Sequence, residues 1–403
     1  MARVRKKQTV EQDVWSLAIE RMNYIFDMFD EIVVSFSGGK DSTAVLNVAL
    51  TVAEERGRLP LRVVFYDEEA IPYETEQYVR RVSQDPRVNL EWYCLPLELR
   101  NACSRRQPVW YSWALEDKDK WVRPLPPEAI TTHPLLDGLQ PHERLGWAEF
   151  APVLARGNST AFLLGIRATE SMVRQRAVSM KKIDNYIVNF KTGVAKCYPI
   201  YDWQTADVWT APAKYGWDYN RAYDLMEMLG IKPDMQRCAP PFGEEPLGGL
   251  WVFAQAFPDI WDKMIYRADG VASASRYART ELYGFGKTPE KPFDMKWSEY
   301  IEWLLKKHPV EVRGHAADSV HHLIHQHYLR VDTPIAEKTK HPVTGISWGR
   351  LASIAMRGDL KSRRTQTTTY LNPDSIEFTR KLQAYNTEIE NIKQQGRLEQ
   401  ILP

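Results

Sequence analysis

The sequence predicts an α/β fold in which a parallel β-sheet is followed by a mostly α-helical C-terminal part. Short apolar runs alternate with amphipathic helical patterns up to about residue 200, and helical patterns dominate from about residue 204. Of the 403 residues, 44% are hydrophobic and 26% are charged. This composition is ordinary for a globular protein and argues against long disordered segments.

The first elements follow one another without long gaps. Residues 32–36 form a β-branched run typical of a strand that is buried on both faces of a parallel sheet. A Gly-rich turn separates this strand from an amphipathic helix. The elements predicted over this part are a helix at 10–30, strands at 32–36, 61–66 and 88–95, and helices at about 41–56 and 73–83.

Residues 100–150 are dense in Trp and Pro and have no clear period, which predicts a long insertion over the binding edge of the sheet. Beyond it the patterns predict strands at 160–166, 185–190 and 195–200, and then helices at 204–212, 219–229, 246–265, 297–307, 315–329, 347–357 and 375–394. We expect two domains, one built on the parallel sheet over residues 1–230, with this insertion, and a helical one over 231–403.

Charge and cysteine content exclude several classes of protein. Lys and Arg total 53 against 52 Asp and Glu, so the net charge of +1 indicates no global attraction to nucleic acid or an anionic membrane. No apolar run approaches the roughly 18 residues that span a bilayer. Four cysteines make no disulfide scaffold. A cytoplasmic protein without a membrane partner is therefore expected.

The Gly-rich turn carries the strongest functional signal. Ser37–Thr43 reads SGGKDST and lies between a buried strand and a helix. Glycines allow close backbone approach, free N–H groups at a helix start attract anions, and Lys40 adds positive charge, so the run is typical of a phosphate cradle. The spacing is not that of a Walker A loop. The alternative, a polar turn that caps the helix, explains only one hydroxyl and one glycine.

The segment Ser37–Ser42 resembles the PP-loop of the ATP-pyrophosphatase superfamily, whose members bind ATP or a related adenylyl nucleotide on a Rossmann-like sheet of the adenine nucleotide alpha-hydrolase type. Further segments resemble the phosphoadenosine phosphosulfate (PAPS) reductase-like branch: Tyr66–Glu69 with Tyr73–Thr75, Gly165–Ser171 with Arg174 and Arg176, and Tyr198–Trp209. Residues 239–245 resemble its phage- and bacterium-borne immunoglobulin-binding-regulator-A-type subgroup, often encoded beside a ParB/sulfiredoxin-like protein, which is therefore an expected partner.

The resemblance and the residue chemistry together imply a set of site residues. Lys40, Asp41 and Arg167 are expected to be catalytic, and Asp41 and Asp67 to hold Mg²⁺. The expected nucleotide-binding residues are Ser35, Ser37, Gly38, Gly39, Lys40, Asp41, Ser42, Thr43, Asp67, Gly165, Arg167, Glu170 and Arg174. Two alternatives remain open: Asp67 caps the next helix, or Glu170 simply pairs with Arg167 three residues before it.

The reaction is less clear because the cysteine pattern departs from that of the reductases. Cys238 is the last cysteine, and the terminal Glu-Cys-Gly-type motif is absent. The four cysteines have no C-x-x-C spacing, which argues against an iron–sulfur cluster. The leading hypothesis is cleavage of the α–β phosphate bond of ATP to adenylylate or thiolate a substrate, with nucleic acid as one candidate acceptor. The alternatives are a PAPS reductase that uses Cys238 and a nucleotide-sensing regulator without turnover.

Two C-terminal features have weaker signals. Residues 315–327 contain five of the nine histidines, and His321 and His325 share a helix face at metal-binding spacing, although a polar helix face is the simpler interpretation. Residues 350–364 are locally basic, which suits either nucleic-acid phosphates or a solvated helix face.

Overall fold

The computed structural model describes residues 11–104, 106–140, 143–156, 159–170, 178, 185–189, 194–233, 236–238, 242–243, 250–277, 291–308, 310–357 and 373–402. Two compact units are present. The first is built from Val10–Ala102 and Val109–Ser275, and the second mainly from Arg276–Pro403. The first unit thus continues beyond residue 230, and the division into domains at that residue stays a prediction.

The first unit is organised around a six-stranded sheet in the order β3-β2-β1-β6-β8-β7, in which only the β7–β8 pair is antiparallel. A separate antiparallel pair is formed by β4 and β5. The strands are β1 (Glu31–Phe36), β2 (Leu61–Tyr66), β3 (Val88–Tyr93), β4 (Glu98–Arg100), β5 (Val109–Tyr111), β6 (Thr160–Leu163), β7 (Ile187–Asn189) and β8 (Val194–Cys197).

Helices cover this sheet because its strands are apolar on both faces, as in β2, where all six residues are buried. Helix α2 begins directly after the β1 loop and buries residues such as Val45, Val48 and Val52 against the sheet. The helices of the first unit are α1 (Val14–Met28), α2 (Lys40–Glu55), α3 (Tyr73–Ser83), α4 (Trp147–Phe150), α5 (Thr205–Tyr215), α6 (Ala222–Met228), α7 (Leu250–Ala256), α8 (Pro258–Arg267) and α9 (Val271–Tyr277), the last of which reaches two residues past the division.

The second unit is helical and has its own apolar core, centred on Tyr300, Trp348 and Tyr385. Its helices are α10 (Trp297–Lys306), α11 (Val310–Tyr328), α12 (Trp348–Arg357) and α13 (Ile376–Gln394). The predicted fold class, a parallel sheet followed by a mostly helical C-terminal part, is therefore confirmed.

Two local differences from the sequence-based expectation have physical reasons. The helix expected at 246–265 is two helices, because Pro258 cannot donate the amide hydrogen bond of a continuous helix and instead begins α8. The Trp/Pro-rich insertion contains ordered elements, namely β5 and a short 3₁₀ helix at Leu115–Lys120. Its Ile130 also pairs with Tyr93 at the end of β3, so part of the insertion adjoins the sheet.

Candidate nucleotide-binding site

The candidate site lies at the point where the strand order of the sheet reverses, between β1 and β6. Strand β1 pairs with β2 on one side and with β6 on the other, and all three are parallel. Their carboxyl ends therefore share one edge, and the chain continues from β1 to β2 on one side and is joined by β6 and β8 on the other. Open α/β sheets bind ligands in the crevice at such a switch point.

The loop after β1 adopts the conformation that its glycines permit. Gly38 has φ = +69°, a left-handed value that side-chain-bearing residues rarely adopt. The Ser42 hydroxyl accepts a hydrogen bond from the Ser37 amide at 3.2 Å, and the two serine hydroxyls lie 3.0 Å apart. Thr43 Oγ1 donates to the Gly39 carbonyl at 2.9 Å. These bonds fix the loop at the start of α2.

Some loop amides are occupied by the protein and others are open. The Lys40 amide donates to the Tyr223 hydroxyl at 2.9 Å, and the Thr43 amide donates to the Gly39 carbonyl. Within the described ranges, the amides of Gly38, Asp41 and Ser42 have no hydrogen-bond acceptor. Free N–H groups at the positive end of a 16-residue helix form an anion-binding position.

Gly165, in the loop after β6, packs directly against this position. A Cβ atom placed there would lie 2.6 Å from the Asp41 carbonyl carbon and 2.7 Å from the Ser42 nitrogen. Because both atoms belong to the backbone, they cannot move aside without displacing the loop. Gly165 is therefore required for the close approach of the two loops, which agrees with its expected place in the site.

Lys40 is nearly buried, and its ammonium group is held by the protein. Nζ donates to the Gln236 carbonyl at 2.9 Å and lies 3.8 Å from an Asp41 carboxylate oxygen. Burial lowers the pKa of Lys40, and the charge of Asp41 partly offsets this effect. An incoming anion would compensate the buried charge further.

Arg167 lies in the site, but its guanidinium is committed to side chains. Nε donates to Asp41 at 2.5 Å, one terminal nitrogen lies 3.3 Å from each of the Thr169 and Thr205 hydroxyls, and the other lies 3.5 Å from Glu170. The alternative pairing with Glu170 is thus present. The arrangement favours a role for Arg167 in positioning Asp41, and direct contact with anionic oxygens would require some of these bonds to open.

The two loops enclose a cavity of about 530 Å³, a volume typical of sites for small molecules and cofactors. The cavity is lined by Ser35, Ser37, Gly39, Lys40, Asp41, Ser42, Leu164, Gly165, Ile166, Arg167, Thr169, Glu170, Gln204, Thr205, Tyr223, Arg237 and Cys238. Most of the expected site residues therefore meet here. Gly38 and Thr43 shape the loop without lining the cavity, and Arg174 lies outside the described residues.

Sequence reasoning missed several residues of the cavity. Tyr223 at the start of α6 contributes the hydroxyl next to Lys40, and Arg237 and Cys238 come from a segment about 200 residues after the loop. Nothing in their local pattern links them to the loop, since a lone Tyr or Arg carries no motif. The sequence does offer Cys238 as a candidate nucleophile, but its local pattern does not place it in this cavity.

Asp67 does not line this cavity, which departs from its expected role. It follows β2 and is 3% exposed, and its carboxylate accepts hydrogen bonds from the Trp92 indole at 2.8 Å, the Glu69 amide at 2.9 Å and the Arg123 guanidinium. The insertion supplies Arg123 and thereby closes the edge of the sheet at β2. Asp67 therefore does not cap the next helix, whose N-cap is Pro72, and its carboxylate is not open to a ligand.

Glu69 continues the same closed arrangement. It is fully buried, and its carboxylate accepts from Arg267 at 2.6 and 3.0 Å and from the Trp113 amide at 2.8 Å. We refer to Asp67, Glu69, Arg123 and Arg267 as the closed cluster.

The cavity can supply one carboxylate of the expected pair to Mg²⁺. Asp41 lines it with 16% of its side chain exposed, whereas the Asp67 side chain is fully buried elsewhere. Among the described residues, no group of three His, Cys, Asp or Glu side chains could hold a metal ion. Mg²⁺ commonly binds to one or two carboxylates plus substrate phosphates and water, so Asp41 fits such a site and Asp67 does not.

Comparison with known proteins agrees with this geometry. Residues 31–226 match the phosphoadenosine phosphosulfate reductase domain, and residues 230–344 match a domain of unknown function (DUF3440). An uncharacterized protein of Escherichia coli (strain K12), YbdN, is 30% identical over 362 residues, which is 86% of this chain and 88% of YbdN. The chain belongs to the PP-loop superfamily, in its PAPS reductase-like branch. The immunoglobulin-binding-regulator-A-type subgroup stays a prediction.

Solved structures with a similar fold are more distant. Candida glabrata FMN adenylyltransferase is 16% identical with a TM-score of 0.33, over 54% of this chain and 62% of that one. The PAPS reductase of Candida auris, solved as a phosphate complex, is also 16% identical with a TM-score of 0.30, over 54% and 93% of the two chains. This PP-loop chain thus spans less than two thirds of the adenylyltransferase.

The remaining C-terminal predictions fall outside this site. His321 and His325 of α11 are exposed, and His327 is buried with hydrogen bonds to Thr344 and the Thr333 carbonyl at 2.7 and 2.8 Å. This arrangement fits the polar-face interpretation. Residues 358–364 of the basic stretch lie outside the described part of the chain. No helix in the described part is long and apolar enough to cross a membrane.

Proposed function

We propose that this PP-loop protein binds ATP or a related adenylyl nucleotide in the cavity and cleaves its α–β phosphate bond to adenylylate or thiolate an acceptor. The observation that carries the proposal is the anion-binding position at the start of α2. Asp41 and Ser42, whose amides are open, and Lys40, with its ammonium group, line a cavity large enough for a small ligand, and the Gly38 amide of the same loop is also open. The match to a domain named for an adenylyl-nucleotide reductase supports the choice of nucleotide.

The chemistry asks the protein mainly to position groups and to neutralise charge. An acceptor nucleophile attacks the α-phosphorus, and the bond to the bridging oxygen breaks so that pyrophosphate leaves. Hydrogen-bond donors fixed before the reaction stabilise the developing charge without reorganising. The loop amides and Lys40 supply these donors, and Arg167 holds the Asp41 carboxylate in place. Mg²⁺ bound at Asp41 would supply further neutralisation of phosphate charge.

A test combines binding with product analysis. Calorimetry should show ATP binding to the wild-type protein, and Lys40→Ala should weaken it about tenfold to a hundredfold, since a hydrogen bond to a charged group contributes about 1.5–3 kcal/mol. Lys214→Ala, which changes an exposed lysine outside the cavity, serves as the control. Incubation with Mg²⁺ and candidate acceptors, including nucleic acid, should release AMP or pyrophosphate.

Each result separates the proposal from its alternatives. Failure of the wild-type protein to bind ATP or PAPS rejects the proposal altogether. Binding without turnover, for all acceptors and with the ParB/sulfiredoxin-like partner, rejects the catalytic part and favours a nucleotide-sensing regulator.

A second candidate, reduction of a sulfonucleotide such as PAPS, is favoured by one observation. The Cys238 thiol lines the same cavity as Lys40 and lies 3.5 Å from the Asn220 amide. Its thiolate would attack the sulfonate sulfur, the S–O bond would break to release adenosine 3′,5′-bisphosphate, and an external dithiol would release sulfite. Burial, however, raises the pKa of Cys238 to about 11, so that the unreactive thiol dominates at neutral pH.

Sulfite release therefore distinguishes the two candidates. We expect no thiol-dependent sulfite release from PAPS by the wild-type protein. Release that disappears in Cys238→Ser, while nucleotide binding persists, would establish the reductase instead.

A further inference from the structure

The described cations that line the cavity differ in their hydrogen-bond and ion-pair partners. Lys40 is bonded to the Gln236 carbonyl and lies beside Asp41, and Arg167 is bonded to Asp41 and Glu170. Arg237 also lines the cavity. In the described part of the chain it makes no hydrogen bond and no ion pair. Among the cavity cations that the structure describes, its guanidinium is therefore the one left available for a ligand.

The backbone on both sides of Arg237 is fixed although its side chain is not. The Gln236 side chain donates to Glu227 and to the Ile231 carbonyl, both at 2.8 Å, while its own carbonyl accepts from Lys40. Cys238 is 5% exposed and contacts the Asn220 amide. A side chain that projects from a fixed backbone loses less entropy on binding than one on a mobile loop.

The charge balance of the cavity depends on this residue. Among the described residues, the lining includes the cations Lys40, Arg167 and Arg237 and the carboxylates Asp41 and Glu170. The carboxylates lie against Lys40 and Arg167, so within this described set the excess positive charge resides on Arg237. Guanidinium groups bind tetrahedral oxyanions through two parallel N–H donors, which gives geometric selectivity as well as affinity.

We propose that Arg237 binds a second anionic group of the nucleotide, a phosphate or sulfonate that AMP lacks, and so determines which adenylyl nucleotide the cavity accepts. This inference rests on the proposed function, because it requires that the loop hold the 5′-phosphate. The second group is either attached to that phosphate, as in ATP, or carried on the ribose, as in adenosine 3′,5′-bisphosphate.

The experiment measures the affinity of the wild-type protein and of Arg237→Ala for AMP, ATP, adenosine 3′,5′-bisphosphate and PAPS by calorimetry. We expect Arg237→Ala to weaken the preferred doubly anionic ligand about tenfold or more and AMP less than twofold. Arg237→Lys, which keeps the charge but loses the fork, should have an intermediate affinity. Arg87→Ala controls for net charge, because it removes a half-exposed arginine that pairs with Asp85 and does not line the cavity.

The pattern of losses decides the outcome. A loss for ATP and PAPS that spares adenosine 3′,5′-bisphosphate places the second group on the 5′ chain, because PAPS carries its sulfonate there. A loss for adenosine 3′,5′-bisphosphate and PAPS that spares ATP places it on the ribose. An equal loss for AMP, or no loss for any ligand that the wild type binds, overturns the assignment. If the wild type binds none of the four, the proposed function fails instead, and thermal unfolding of each variant confirms that it is folded.

Discussion

The carboxyl ends of β1 and β2 lie side by side, yet the segments that follow them form opposite kinds of site. After β1, the loop leaves three amides open and faces a cavity of about 530 Å³. After β2, Asp67 and Glu69 are buried and bonded to Arg123 and Arg267. The difference teaches that the residues after a strand face a ligand cavity only where no distant segment folds over them: Asp41 is paired with Arg167 and still lines the cavity, whereas Asp67 and Glu69 are completely covered.

The closed side is produced by segments distant in sequence. Arg123 comes from the Trp/Pro-rich insertion and Arg267 from the end of α8. Trp113 of the insertion also donates its indole N–H to the Asp67 carbonyl at 2.8 Å. Buried carboxylates need such partners, because an unpaired buried charge is strongly destabilising. The cluster therefore fixes the insertion to the sheet beside the open site.

The largest expected effect is on the closed side. Arg267→Leu removes the guanidinium that Glu69 faces while keeping an apolar stem, and leaves a buried carboxylate without its ion pair. We expect the free energy of unfolding to fall by about 3–5 kcal/mol, measured by urea denaturation. A loss below about 1 kcal/mol would show that the cluster is solvated rather than closed.

Asp67→Asn sharpens the comparison further. The variant keeps the shape of the side chain but leaves Arg123 without its full partner, so stability should fall by about 2–3 kcal/mol. The folded protein should bind ATP with Mg²⁺ within about twofold of the wild type. Intact stability with lost affinity would return Asp67 to the ribose or Mg²⁺ role expected from the sequence.

A buried histidine in the second unit provides an uncharged comparison, for which we expect stability to depend on pH. His341 is 4% exposed and its ring contacts those of His327 and Tyr385. Burial lowers the pKa of His341 from 6.5 to about 4. The neutral form is thus favoured in the folded state, and the unfolded chain binds the proton more readily. The contribution of the neutral His341 ring to the free energy of unfolding is therefore fully present above pH 6.5 and is lost as the pH falls towards 4.

Between pH 7 and pH 5 this histidine should lower the free energy of unfolding by about 2 kcal/mol. Thermal unfolding across this range, compared with His341→Gln, checks the prediction. The variant should show a flatter pH dependence, and an unchanged slope would contradict the assignment to His341.

The smallest expected effect on folding, and the most specific one on binding, is at Gly165. In Gly165→Ala the new methyl group meets the Asp41–Ser42 backbone at 2.6–2.7 Å and displaces the loop. Affinity for ATP should fall about tenfold or more, with about 1–3 kcal/mol lost in stability. Gly57→Ala is the control, because its Cβ would meet nothing within 4 Å, although its φ of +65° imposes its own strain. Unchanged affinity for ATP in Gly165→Ala would show that the loop after β1 does not bind the nucleotide.

Much of the fold could be predicted because its signals are local. The apolar strands, the helical periods and the SGGKDST turn each occupy fewer than about 20 residues, and the loop was correctly placed at the start of α2. Gly165 was predicted from resemblance, and the structure gives its reason. Arg123, Tyr223 and Arg237 could not be predicted, because their roles depend on which distant segments face them after folding. The burial of Asp67 beside Arg123 could not be predicted for the same reason.

The central claim is that the loop after β1 holds the phosphates of an adenine nucleotide. A crystal structure grown in excess ATP and Mg²⁺ tests it most directly. We predict phosphate oxygens within hydrogen-bond distance of the Asp41 and Ser42 amides, with the triphosphate extending into the cavity. A nucleotide bound elsewhere, or this position still vacant at saturating ATP, would contradict the account.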